Sequence, residues 1–71
     1  MMDTPLADRV FTALVRSPHV PHDALQFQTE EGRVILRGVV RSFFQKQMAQ
    51  EALRRVDGVH EISNELEVDM V

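Results

Sequence analysis

His19, His22 and Asp23 stand close together in the chain and offer two imidazoles and a carboxylate. Those are donor types that bind zinc and similar ions, but a site needs a third or fourth ligand and neighbours that fix each ring. His60 can supply that ligand only if its loop meets the first. Pro18 and Pro21 frame the cluster, and polar residues in a stiff connector account for the same letters without a metal. No metal or other cofactor is therefore expected. Glu30 and Glu31 form a carboxylate pair only by adjacency. General acid–base work needs an enclosing pocket, which so short a chain has little material to build. No Ser/His/Asp or Cys/His arrangement has the strand–turn–helix context of a nucleophile, and no glycine-rich phosphate loop is present. The sequence does not read as an enzyme.

Binding chemistry is better represented. From Arg33 to Arg41 the odd positions read Arg33, Ile35, Arg37, Val39, Arg41, a stripe of guanidinium alternating with aliphatic carbon. Phe43 and Phe44 follow at once, with Lys46 close behind. Arginine and aromatic side chains are favoured at contact surfaces, and a cationic corner with an exposed ring suits an anionic lipid surface. The bland reading of the stripe is a solvated face, neutralised by carboxylates on the next strand at about 0.2–1 kcal/mol a pair. For the two phenylalanines it is burial of one or both beneath the first helix and loop. Met48 reads as core filler.

The elements that must carry these residues follow from periodicity. Thr4 and Pro5 open a helix, as cap and first helical residue, and Leu6, Ala7, Val10, Phe11, Ala13 and Leu14 give it an apolar stripe over about 5–16. Arg9 and Arg16 fall on its wet side, and Ser17-Pro18 ends it. The connector from His19 to Asp23 is expected to be non-helical. A half-buried strand at about 24–29 sets Leu25, Phe27 and Thr29 against Gln26 and Gln28. Glu30-Glu31-Gly32 turns the chain, with Gly32 taking a positive φ. The next strand, about 33–41, is apolar on one face and mixed on the other, as a central strand should be. Gly38 on its inward face weakens it, which points to close approach of another backbone, most simply a helix, or to a bulge.

Ser42-Phe43-Phe44-Gln45 has the form of a capping box. It opens a helix over 43–56, with Phe44, Met48, Ala49, Ala52, Leu53 and Val56 inward and Gly58 as its left-handed stop. A last strand from about 59 buries Ile62, Asn64, Leu66 and Val68 and exposes Glu61, Ser63, Glu65 and Glu67, before Asp69-Met70-Val71 fray. The order α-β-β-α-β specifies an α+β chain: a two-layer α/β sandwich with a three-stranded mixed sheet and both helices on one face. Its 71 residues are read as a single domain, core about 5–68, held without cysteine by packing alone.

A net charge of −3 and the absence of Tyr and Trp argue against nucleic acid as a partner. The N-terminus lacks a basic region followed by an apolar one, and no run approaches membrane-spanning length. As written, the chain is expected in the cytosol.

The frame Leu25-x-Phe27-x-Thr29-x-x-Gly32-x-Val34-x-Leu36-x-Gly38-x-Val40, a helix, then Val56-Asp57-Gly58-Val59-x-x-Ile62-x-Asn64-x-Leu66-x-Val68 resembles the BON domain, the module named for bacterial osmotically inducible and nodulation proteins. The resemblance spans about residues 6–68, and Gly38 falls on the family's glycine. It implies the same sandwich and a non-enzymatic role, with contacts to phospholipid surfaces or partner proteins, commonly in the bacterial envelope. The contact residues expected here are Arg33, Ile35, Arg37, Val39, Arg41, Phe43 and Lys46, with Phe44 beside them. Gly32, Gly38 and Gly58 are expected to be structural. The competing expectation is a structural unit that forms homo-oligomers through the Ile35/Val39 face or a strand edge, with no lipid ligand.

Overall fold

A computed structural model describes residues 5–69 of the chain, so the cap expected of Thr4 and the fraying of Met70 and Val71 lie outside the described residues. Helix α1 spans Leu6–Arg16. The Pro5 carbonyl accepts from the N–H groups of Asp8 (3.0 Å) and Arg9 (3.3 Å), so Pro5 caps the helix and is not its first residue. Val10 and Leu14 are buried on the inward face of α1. Arg9 does more on the wet side than carry charge: its Nε donates to the Asp57 carbonyl at 3.2 Å, tying α1 to the turn before the last strand.

The connector is not wholly non-helical. His22–Ala24 form one 3-10 turn, in which the Ala24 N–H donates to Pro21 O at 2.9 Å. Pro21 caps this turn from outside it, at φ −78° and ψ 75°. Strand β1, Leu25–Glu30, then pairs antiparallel with β2, Arg33–Val40, from Glu30↔Arg33 at the hairpin to Leu25↔Gly38. Strand β1 thus starts at Leu25 and includes Glu30, and β2 ends one residue before Arg41.

The hairpin loop has two residues, and both lie in left-handed space: Glu31 at φ 48° and Gly32 at φ 89°. That is the signature of a type I′ turn, which prefers Asn-Gly. A side chain such as glutamate pays roughly 1–2 kcal/mol to sit there. Glu31→Asn should recover part of this strain, raising the urea midpoint with no change in m-value.

Helix α2, Phe43–Arg54, leads to β3, Glu61–Val68, which runs parallel to β2 in register Arg33↔Glu61 through Val40↔Val68. The helix ends two residues short of Val56, and the strand begins two residues after Val59. The intervening turn has Gly58 at φ 98°, three residues beyond the cap Arg55. The sheet order is β1-β2-β3, with β2 central. Val34, Leu36, Val40 and Leu66 from the sheet join Val10, Leu14, Ala49 and Leu53 from the helices in one core. Both helices therefore cover one sheet face, as the α-β-β-α-β reading requires. Asp69 does not fray, since its N–H donates to Val40 O at 2.8 Å.

Gly38 does meet a close approach, from the last residue of the 3-10 turn and not from either α-helix. With φ 135°, it would place a Cβ 2.4 Å from the Ala24 carbonyl oxygen and 3.3 Å from Leu25 Cα. Both atoms belong to the chain as it enters β1. The ladder to β3 passes through Gly38↔Leu66 without an extra residue, so no bulge is needed.

Candidate functional site

The end of β2 and the start of α2 build the most exposed apolar corner among the described residues. Ser42 is extended (φ −154°, ψ 157°), and its Oγ accepts from the Gln45 N–H at 3.1 Å. Gln45 Oε1 reaches back to the Arg41 N–H at 2.7 Å, one residue earlier than in the usual capping box. These bonds fix the first turn of α2, which carries Phe43 and Phe44. Neither ring fills the core: Phe43 is 66% exposed and Phe44 52%. The Phe44 ring meets His19 edge-on, with centroids 5.1 Å apart at 71°. Beside it lies an open depression of about 360 Å³ between the Pro18–Pro21 loop and Ser42.

Val39, 49% exposed, and Arg41 stand next to this turn on the chain. Lys46 is half-buried, one turn into the helix. Among the described residues, neither Arg41 nor Lys46 has a carboxylate at ion-pair distance. Arg33 and Arg37 differ. Arg33 Nε lies 3.7 Å from Glu61 Oε2, and Arg37 Nε donates to Glu65 Oε1 at 3.2 Å. Cross-strand neighbours thus neutralise the first two guanidinium groups of the stripe.

Ile35 also differs from a bare-face residue, being only 8% exposed. It lies between Gln28 on β1 and Ser63 on β3, at a shallow hollow of about 160 Å³ shared with Gln26 and Arg37. Long polar side chains can bury aliphatic carbon while their heads stay wet.

A hydrogen bond from Ser63 Oγ and another from Arg37 hold the Glu65 carboxyl below its ordinary value against the opposing effect of desolvation, with smaller help from the charges of Arg37 and Arg33. A carboxylate depressed in the folded state stabilises the protein above its unfolded value, about 4.3. That contribution is lost as pH falls through the lower folded value. Thermal midpoints of the parent chain and Glu65→Gln should therefore differ most at neutral pH and converge under acid.

The histidines do not converge. His22 Nε2 is 3.0 Å from Asp23 Oδ1, beside the Gly38 end of the hairpin. His60 packs at the other end, its N–H donating to Gly32 O at 2.8 Å. Six strand residues separate those ends, roughly 20 Å. Among the described residues no group of three His, Cys, Asp or Glu side chains is arranged to hold a metal ion. Glu30 and Glu31 are exposed at the hairpin tip. No described helix is long and apolar enough to cross a membrane.

Two positioning residues escaped the sequence reading. Arg9 looked like ordinary surface charge, and its carbonyl partner is 48 positions away. Asn64 left a visible sign: it is the one polar residue in the inward series Ile62, Asn64, Leu66, Val68. Its Nδ2 donates to Lys46 O at 2.9 Å and to Gln50 Oε1 at 3.2 Å, while its Oδ1 accepts from the Leu66 N–H at 3.2 Å. The carboxamide pins β3 to the helix that carries Phe43 and Phe44.

Comparison with curated proteins gave no match. The BON domain profile matches residues 2–70, nearly the whole chain. The match spans the α-β-β-α-β sandwich, and the chain belongs to the BON domain family.

Proposed function

We propose that this chain is a non-catalytic binding module that docks on anionic phospholipid surfaces through the corner formed by Val39, Arg41, Phe43, Phe44 and Lys46. The observation that carries the reading is the pair of adjacent, solvent-exposed phenylalanines on a rigidly capped helix turn. Apolar rings held in water beside cations that no described carboxylate pairs have more to gain from an interface than from solvent. Membership of a family of binding modules supports the class of activity. Arg33, Ile35 and Arg37 support the reading less, because glutamates occupy the two arginines and Ile35 is covered. For the same reason self-association through the Ile35/Val39 face loses half of its apolar contact.

Titration of the labelled chain with anionic and zwitterionic bicelles, at low and moderate salt, tests this directly. Amide shifts should cluster from Val39 to Lys46, appear with anionic lipid and fade with salt. Withdrawing both rings, Phe43→Ser with Phe44→Ser, should weaken partitioning about tenfold or more, since burying one such side chain is worth about 1.5–3 kcal/mol. Shifts elsewhere, or none, would remove the lipid reading and leave a protein partner as the occupant of the corner.

A further inference from the structure

The two sheet edges are not alike. Strand β3 bears Glu61, Glu65 and Glu67, and the Asn64 side chain takes its Leu66 N–H. Those features discourage another strand. Among the described residues, strand β1 pairs only with β2, and it has no lysine, proline or bulge. Its sequence Leu-Gln-Phe-Gln-Thr-Glu places its only charge at the last position. On the helix side of this edge, Phe11 projects from α1 at 56% exposure, above half-buried Leu25 and Phe27. Phe11, Leu14, Leu25 and Phe27, together with His22 and Gln26, line a mostly apolar groove of about 270 Å³.

We infer that β1 is a homodimerisation edge, joining antiparallel to β1 of a second copy so that two sheets become one six-stranded sheet. The occupant follows from charge and symmetry. Cross-strand partners must share a face, so only registers that match inward residues with inward residues are allowed. The register centred on Phe27 sets Phe27 opposite Phe27 of the second copy and Leu25 opposite its Thr29. On the outer face, Gln26 meets Gln28 in both directions. Within the strands no carboxylate faces a carboxylate, because Glu30 falls opposite Ala24, and Asp23 and Glu31 come opposite each other only beyond the strand ends. Phe11 and the groove then lie over the seam, where the α1 helix of the second copy arrives to cover them. A β3–β3 pairing would instead bring together two acidic edges. The inference is independent of the lipid-binding corner, which lies at the start of α2.

Sedimentation equilibrium of the full chain, from about 10 µM to about 1 mM, should show a monomer–dimer equilibrium, and amide exchange along β1 should slow as concentration rises. Gln26 and Gln28 are exposed, so charges there test the register without disturbing the core. Gln26→Lys with Gln28→Lys opposes like charges across the axis and should weaken the dimer tenfold or more. Gln26→Lys with Gln28→Glu opposes unlike charges and should restore it. Thermal melts of both variants confirm that each is folded. A chain that stays monomeric throughout, or a dimer indifferent to these charge patterns, overturns the inference.

Discussion

Gly38→Ala should cost this protein about 3 kcal/mol or more, the sum of a backbone held in glycine-only space and a collision with fixed backbone. The new Cβ would stand 2.4 Å from the Ala24 carbonyl oxygen. That oxygen cannot rotate away as a side-chain end could. It belongs to the residue joining the 3-10 turn to β1, and the Ala24 N–H is itself bonded to Pro21 O at 2.9 Å. Relief would require pulling β1 from β2 at the Leu25↔Gly38 pair and re-aiming the connector. Domains are stable by about 0.05–0.15 kcal/mol per residue, so such a loss is a large share of the total.

Gly58→Ala provides the internal comparison. Gly58 is also left-handed, at φ 98°, but its added Cβ would meet Arg9 Nη2 at 3.1 Å and Leu6 Cδ1 at 3.2 Å, both ends of flexible side chains. Backbone strain is common to the two substitutions, while collision with a carbonyl is peculiar to Gly38. Urea unfolding should rank Gly38→Ala well below Gly58→Ala. With about 4–8 °C of melting temperature per kcal/mol in a domain of this size, the Gly38 variant should melt at least about 12 °C below the parent. Equal losses at the two positions would show that φ alone sets the cost and that the Ala24 carbonyl yields.

The contrast between what was legible in the sequence and what was not lies in the range of the interactions. Val34, Leu36 and Val40 alternate with charged or covered residues, and strand parity alone sends them to the core. Ser42 and Gln45 stand three apart before a helical apolar series, a local pattern with a local result. Gly38 signalled a close approach because an inward glycine in a central strand has few other uses. Which backbone approaches depends on how the connector packs, and no local pattern encodes that. Ile35 shows the same limit. Parity placed it correctly on the outer face, but its burial depends on the side chains of Gln26, Gln28 and Arg37. The exposure of both Phe43 and Phe44 was harder still. Helical spacing favours Phe44 as an inward residue, yet the first turn of α2 extends past the core and leaves its ring against His19.

Asn64→Asp should destabilise the fold by about 2–3 kcal/mol at neutral pH, more than Asn64→Ala, although it changes the side-chain volume far less. The carboxamide nitrogen faces two acceptors, the Lys46 carbonyl and Gln50 Oε1. A carboxylate in its place has no hydrogen to offer and sets negative charge against both oxygens. Alanine merely withdraws the donor, and the oxygens regain water or, for Lys46, keep their helical bond. The Leu66 N–H, which now donates to Asn64 Oδ1, loses its partner only with alanine. If that bond were the main contribution of Asn64, alanine would therefore be the worse substitution. Acid should separate the effects further. The introduced acid is held protonated more readily in the folded state than in the unfolded chain, so the folded state binds more protons and stability falls as pH rises through that interval. Below it, the protonated side chain again donates toward Lys46 O, and the deficit of Asn64→Asp should shrink while that of Asn64→Ala stays level. Urea melts of the parent and both variants at neutral and acidic pH read all of this. An aspartate variant as stable as the parent at neutral pH would mean that the strand-to-helix bond contributes little, and that packing of Ala49 and Leu53 alone holds α2 and its phenylalanine corner in place.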